Sequence, residues 1–354
     1  MLNGHRVVRR ADGTVAAGPP DSSAGSPAPW PPSLADARVA AEIAVDRLLP
    51  FVCAEFPDLL AAATRLCAVH RTRVPPARFL AVVLARAAGL SGSCSEAAMV
   101  TSAIWWAGAE TLDDLADEDF APDVYGLRSA QAMLAGVSCL TWLPYQVLVR
   151  MAPDRRTRDG WLAELASTSM HCAQAELLDV TAQAESSWGS VIRVYHGKTG
   201  APYGRDLAIT ALAGGLDRRR VRAWRTLGGL FGVLRQLAND EADTRSADPA
   251  DLRHGTWTLR LAHLVEAVDS AQRPVVLALR QDAMRDAAAA QRLRALMAEP
   301  AVSADFTRRV RVMGRQALSL VDDLSSPGDD QDLANLLVRS TVAAALPADE
   351  QVPT

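Results

Sequence analysis

From Asp36 to the end of the chain, apolar residues return every third or fourth position, and only clusters of Pro, Gly, Asp or Ser break the pattern. That period advances about 100° per residue, which lays the apolar side chains along one stripe of a helix. A strand needs alternation over several residues with β-branched enrichment, and no stretch here is long enough to assign one. The spacing predicts helices over residues 36–48, 52–69, 76–89, 94–118, 127–150, 156–187, 204–214, 218–243, 256–270, 271–298, 302–324 and 331–345. The fold class is therefore all-α. The interior has no long Pro/Gly/Ser linker and no repeat at a fixed period, so a single-domain bundle of about a dozen helices around a central cavity is expected over residues 36–345. A Pro/Gly/Ala/Ser-rich tail over 1–35 and a short tail over 346–354 are expected to be disordered.

With 354 residues, 49% of them apolar, the chain can bury a sizeable core. A formal net charge of −4 argues against a nucleic-acid binder. The five cysteines, Cys53, Cys67, Cys94, Cys139 and Cys172, are odd in number, lack Cys-x-x-Cys spacing and fall in apolar helical runs. They read as small core residues of a protein in a reducing cytoplasm. Arg6, Arg9 and Arg10 near the start are not followed by the apolar run of a signal peptide, and no stretch reaches the roughly 18 uninterrupted apolar residues of a membrane span. The expectation is a soluble, cytoplasmic protein.

Two short acidic clusters stand far apart in this helical pattern, Asp113-Asp114-Leu115-Ala116-Asp117 and Asn239-Asp240-Glu241-Ala242-Asp243. On a helix, Asp113 and Asp117 lie one turn apart on the same face with Asp114 beside them, and Asp240 and Asp243 repeat the arrangement at three-residue spacing. Carboxylates crowded in this way repel one another unless cations neutralise them. Oxygen-only ligation suits Mg²⁺, which takes a few carboxylates, waters and the phosphates of its substrate. The two clusters read as halves of one metal site. Between them lies Lys198, the only lysine in a chain whose other fixed cations are all arginine. His171, His196, His254 and His263 show no metal-ligand spacing.

Several stretches, taken together and in order, resemble the trans-isoprenyl diphosphate synthase (polyprenyl synthetase) family. They are Arg78 with the apolar helix after it, Asp113-Asp114-x-x-Asp117, Ala130-Gln131-Ala132-Met133-Leu134-Ala135-Gly136, Lys198-Thr199-Gly200, Gln236-x-x-Asn239-Asp240-x-x-Asp243, and Asp251-Leu252-Arg253-x-Gly255-x-x-Thr258-Leu259. The resemblance runs from about Arg78 to the last helix. It implies the class I isoprenoid synthase fold, a homodimer, and three Mg²⁺ ions held by the two motifs to grip an allylic diphosphate. Lys198 and Gln236 would add a charge and a hydrogen bond to the same group. On this reading Asp113, Asp114, Asp117, Asn239, Asp240 and Asp243 are the metal ligands, and Arg78 binds a substrate phosphate. The plainer alternatives are a cap or core amide for Asn239, a buried amide satisfied by backbone for Gln236, and a structural ion-pair partner for Arg78.

The departures from the family pattern bear on function. The basic Gly-Gly-Lys-Arg-x-Arg element that takes isopentenyl diphosphate is here Arg73-Val74-Pro75-Pro76-Ala77-Arg78, of which only the last arginine matches. An Arg-Arg-Gly element expected after the first motif is replaced by Glu118-Asp119-Phe120-Ala121-Pro122-Asp123-Val124-Tyr125-Gly126. The lysine expected after the second motif is missing too, with Arg245 the nearest cation. One diphosphate site is kept and the other is dismantled. The expectation is an enzyme that ionises one prenyl diphosphate and cyclises or rearranges it, a class I terpene synthase. The alternatives are a chain-elongating prenyltransferase and a non-catalytic regulatory subunit. In this fold the helix of the first motif lines the prenyl tunnel. Gly108 and Ala109, one turn before Asp113, would leave that level open, and Trp105 or Trp106 would close the tunnel near the length of geranylgeranyl diphosphate. The Trp pair reads either as core packing or as a cation–π surface.

Overall fold

The computed structural model describes residues 31–116, 118–181, 186–246 and 249–347, together with the backbone of Val8–Arg9 and Val15–Ala16. Apart from an antiparallel pairing of those two dipeptides, the described residues form helices and their connections. In chain order the α-helices are α1 (Pro32–Val52), α2 (Pro57–Arg71), α3 (Leu80–Ala87), α4 (Glu96–Ala116), α5 (Pro122–Tyr125), α6 (Ser129–Leu140), α7 (Trp142–Met151), α8 (Arg155–Val180), α9 (Trp188–Tyr195), α10 (Ala201–Ala213), α11 (Arg218–Thr244), α12 (Ala250–His254), α13 (Leu259–Ala267), α14 (Arg273–Ala283), α15 (Ala287–Met297), α16 (Pro300–Leu324) and α17 (Asp329–Ala344). The all-α class holds. The tails expected over 1–35 and 346–354 lie largely outside the described residues, and α1 already starts at Pro32.

Two of the expected helices divide. The run 127–150 breaks at Thr141 into α6 and α7, because Pro144 has no N–H to give the carbonyl of Leu140. The run 271–298 breaks into α14 and α15, where Asp286 caps the second by accepting from the Ala288 amide at 2.9 Å. The segment Ser129–Met151 is long and apolar enough by composition to cross a membrane, although its apolar run is interrupted by polar residues. The break at Thr141 leaves helices of 12 and 10 residues, each under about 20 Å long and short of a bilayer core of about 30 Å.

Contacts divide the chain into two compact units: residues 1–82 with 92–162, and residues 83–91 with 163–354. In the first unit, α4 is the central helix. Val100, Ile104 and Ala107 of α4 bury against Leu66 and Cys67 of α2, Ala135 and Cys139 of α6, and Val147 of α7. Gly108 sits where α4 meets α6, and a Cβ there would stand 2.6 Å from the Gly136 carbonyl oxygen. In the second unit the 27-residue helix α11 runs through the core. It meets the α9–α10 region along glycines, where a Cβ on Gly228 would reach the Tyr203 carbonyl and one on Gly232 the Thr199 carbonyl. Between α9 and α10 the backbone forms one π-helical turn, His196–Gly200, and this turn carries Lys198.

Candidate active site

In the first unit, α4 carries Asp113 and Asp114 half-buried at its C-terminal end, and Asp117 lies outside the described residues. The chain beyond α4 turns back at Glu118, whose positive φ of 61° is unusual for a residue with a side chain. It brings Phe120 and Tyr125 into a stacked pair with centroids 4.8 Å apart. From there the Tyr125 hydroxyl donates to Asp114 Oδ2 at 2.6 Å, and Arg73 approaches the same oxygen at 3.5 Å. Burial nevertheless keeps the Asp114 carboxyl above its usual range. One turn earlier, Glu110 faces His70 at 2.8 Å and Arg78 at 3.4 Å. Burial pushes Glu110 up, but the His70 charge and hydrogen bond, then Arg78 and Arg73, outweigh it and leave Glu110 below the usual carboxylate range. Arg78 itself is only 6% exposed, and its guanidinium lies 3.5 Å from the centroid of the Trp106 ring. Trp105 is buried as well and meets Trp106 edge to face at 5.0 Å.

The second unit collects acids around acids. Asp240 is buried in α11. Its Oδ1 accepts from Gln236 Nε2 at 2.9 Å, and its Oδ2 accepts from the Tyr195 hydroxyl. Gln236 is oriented in turn by Thr199, whose hydroxyl donates to Oε1 at 2.7 Å. Asp243 spends both oxygens on the amides of Ala250 and Asp251, at 2.9 and 3.0 Å, and so ties the start of α12 to the end of α11. Burial, with the charges of Asp251, Glu241 and Asp243, pushes Asp240 well up, and burial with the charges of Asp243 and Asp179 pushes Asp251 to about 7. Lys198 reaches out of the π turn to Asp179 at 2.8 Å and Glu176 at 3.0 Å, both on α8. Asn239 Oδ1 accepts from Arg235 at 3.3 Å, and Glu241 pairs with buried Arg260 at 2.7 Å.

No protein-family model matches the chain, and no curated protein does. Solved structures do match. Geranylgeranyl pyrophosphate synthetase from Pyrococcus horikoshii Ot3 aligns with a TM-score of 0.73 at 17% identity, over 87% of this chain and 97% of that one. A decaprenyl diphosphate synthase from Rhodobacter capsulatus aligns at 0.74 and 18% identity, over 88% of this chain and 98% of its own. The chain has the isoprenoid synthase fold. A third structure with this fold, geranylgeranyl pyrophosphate synthase from Corynebacterium glutamicum, was solved with isoprenyl diphosphate and magnesium; it aligns at 0.68 and 17% identity over 88% of this chain and 99% of its own.

Within the isoprenoid synthase fold, the sequence-predicted residues fare differently. Gln236 and Asp240 touch, and Lys198 lies in the same unit on the turn beside them. Asp243 serves first as an anchor for α12. Gly108 is a packing residue: its missing side chain lets α4 approach α6, so it does not open a tunnel level as expected. Ala109 is half-buried. Arg78 is occupied by Trp106 and Glu110, so the ion-pair reading describes its place. Sequence reasoning passed over Tyr195, Tyr125, Glu110, His70, Asp179 and Glu176. Only the last two left a trace in sequence, an acidic pair three residues apart on one helix face.

Among the described residues, no three His, Cys, Asp or Glu side chains are grouped closely enough to cage a metal ion by themselves. Mg²⁺ does not require such a cage, since one or two carboxylates suffice when phosphates complete the shell. The donor set of the second motif suits it. The set is oxygen only, and Asp240 and Asp251 are pushed up first by burial and then by neighbouring acids, a cost to their charged forms that a divalent cation would offset.

Proposed function

We propose that this chain is a Mg²⁺-dependent class I isoprenoid synthase that ionises one allylic prenyl diphosphate, geranylgeranyl diphosphate, and cyclises or rearranges the product cation. The observation that carries this reading is the place of Arg78. It is the one arginine that matches the family's isopentenyl diphosphate element, yet it lies buried on Trp106 and paired with Glu110. A cation already neutralised in this way has little charge to offer a second diphosphate. The acidic stretch Glu118 to Asp123 adds repulsion in the same unit.

Three Mg²⁺ ions, when bound, would neutralise the leaving diphosphate, with Asp113, Asp114, Asp117, Asn239, Asp240 and Asp243 as the residues to hold them. Gln236 and Thr199 fix the direction of Asp240. Lys198 would exchange an acid of α8 for a diphosphate oxygen. Unlike buried Arg78, its side chain is 17% exposed and its partners Glu176 and Asp179 are 45% and 24% exposed, so solvent can take over the acids it releases. The allylic C–O bond then breaks with both electrons leaving on the diphosphate, and a dry apolar surround keeps water from the cation. Chain elongation is the second reading, and the solved structures of like fold favour it, since they are geranylgeranyl and decaprenyl diphosphate synthases.

Incubation with geranyl, farnesyl and geranylgeranyl diphosphate, each with and without isopentenyl diphosphate, separates the readings by product. Cyclic or rearranged hydrocarbon from geranylgeranyl diphosphate alone is the expected result. Longer diphosphates formed only with isopentenyl diphosphate would establish elongation, and no product under any condition would leave the regulatory-subunit reading. The proposal includes a cytoplasmic homodimer. The stretch from Ser129 to Val149 contains no charged residue, and Met133, Leu134, Val137, Trp142 and Tyr145 stand exposed along α6 and α7, a face that two copies can share without like-charge repulsion. Light scattering should report a dimer, and Trp142→Glu should shift it toward monomer.

A further inference from the structure

We propose that Tyr195 is the positioning residue of the second motif, holding Asp240 in the direction that metal binding requires. This rests on the reading of Asp240 as a Mg²⁺ ligand. Tyr195 ends α9 and is 5% exposed. Its hydroxyl donates to Asp240 Oδ2 and accepts the Leu259 amide at 2.9 Å. Leu259 is the first residue of α13, so that amide is one of the donors a helix leaves without an internal partner. The positive end of α13 pulls on the hydroxyl oxygen and makes the O–H a stronger donor to the carboxylate.

The hydroxyl therefore joins three elements through one atom: α9 carries it, α11 receives its proton, and α13 supplies its own. On the other side, Gln236 holds Asp240 Oδ1, so the plane of the carboxylate is set from both ends. Each oxygen keeps one lone pair, and its direction is fixed by the hydrogen bond already made. Tyr195 also stands three residues before Lys198, at the start of the π turn that carries the lysine, so one short segment aims both a diphosphate cation and a metal carboxylate. Packing alone does not ask for the oxygen, because a phenyl ring would fill the same space. Outer-shell hydrogen bonds to metal ligands typically set metal affinity by ~10–100-fold.

The test is the melting temperature of the purified full chain, titrated with Mg²⁺ at saturating inorganic pyrophosphate. Wild type should show a saturable rise, and Tyr195→Phe should need ~10-fold or more Mg²⁺ for half of its rise. An unshifted Mg²⁺ midpoint in Tyr195→Phe, with only a lower baseline, overturns the proposal and leaves the assignment of Asp240 standing. A wild type with no Mg²⁺-dependent rise overturns both. A second measurement does not depend on the variant folding. The chain has 4 tyrosines, so fluorotyrosine-labelled wild type gives a small ¹⁹F spectrum in which Tyr195 can be assigned by elimination, using Tyr125→Phe, Tyr145→Phe and Tyr203→Phe. The Tyr195 resonance should move on addition of Mg²⁺ with pyrophosphate. A Tyr195 resonance that stays in place overturns the proposal.

Discussion

The two aspartate motifs end long helices in the same way, yet their surroundings have opposite electrostatics. Around the first, acids meet cations and donors. Glu110 has His70 and Arg78, and Asp114 has Tyr125 and Arg73. Around the second, Asp240, Asp243 and Asp251 crowd together with Asp179, while Lys198 is shared by Asp179 and Glu176. At the first, Glu110 is balanced by its own neighbours, while burial still holds the Asp114 carboxyl up. At the second, burial and neighbouring acids together raise Asp240 and Asp251. Both motifs leave a carboxylate for a cation to relieve, and the second, where more acids crowd together, has the most to gain.

The largest expected effect tests the more crowded side. Asp240→Ala should lower turnover by ~10²–10³-fold or more, because it removes a charge aimed at the leaving group's metals. Its apo melting temperature should equal or exceed that of wild type, since a repelled carboxylate is gone. Steady-state kinetics beside a thermal melt checks both, and a large drop in apo stability would mean that the lost hydrogen bonds from Gln236 and Tyr195 outweigh the relieved repulsion. The Glu110 side should respond the other way. Arg78→Met removes one of the cations on Glu110 and should destabilise the fold by about 2–4 kcal/mol in a denaturant titration. It should leave product formation from geranylgeranyl diphosphate alone in place. A variant of normal stability with a much higher KM for the prenyl diphosphate would restore Arg78 as a phosphate ligand.

Stability against pH sharpens the contrast. Asp251 and Asp240 have folded values raised above the usual carboxylate value of ~4, so between ~4 and about 7 the native state holds protons that the unfolded chain has lost. Their contribution is present at the acid end and is lost as pH rises through about 7. Glu110, whose folded value is depressed, works in reverse, and its contribution is lost only as pH falls through that depressed value. The apo protein should therefore be less stable at pH 8 than at pH 5.5 by urea titration, and Mg²⁺ with pyrophosphate should remove most of the difference. Stability that rises steadily from pH 5.5 to pH 8 without metal would show that the acids of the second unit are already compensated. The smallest effect concerns selectivity. Ala109→Phe should shift preference from geranylgeranyl toward farnesyl diphosphate, measured as a ratio of kcat/KM values. An unchanged ratio would remove α4 from the tunnel wall at that level.

Much of this was legible in the chain itself. A periodicity of three and four gives helices because it alone buries an apolar stripe, so the all-α class followed without a template. The carboxylates Asp113, Asp114, Asp117, Asp240 and Asp243 stood out because acids crowded at helical spacing repel one another, whereas Gln236 was reached only through the family resemblance. The break at Thr141 was readable in principle, since Pro144 has no N–H for the carbonyl four residues before it. The partners were not readable. Tyr195 is a lone tyrosine in a helix, and its role depends on Asp240 and Leu259, which lie 45 and 64 residues away. Gly108 looked like open space because a sequence records the absence of a side chain but not what fills the gap, and α6 fills it. Arg78 read as a phosphate contact or as an ion-pair partner, and Trp106 beneath it and Glu110 beside it are contacts that only the fold supplies. Local spacing fixes which groups share a helix face, because that depends only on the rise and turn of the backbone. Which charges are cancelled and which are left over depends on contacts between distant segments, and only the folded chain decides those.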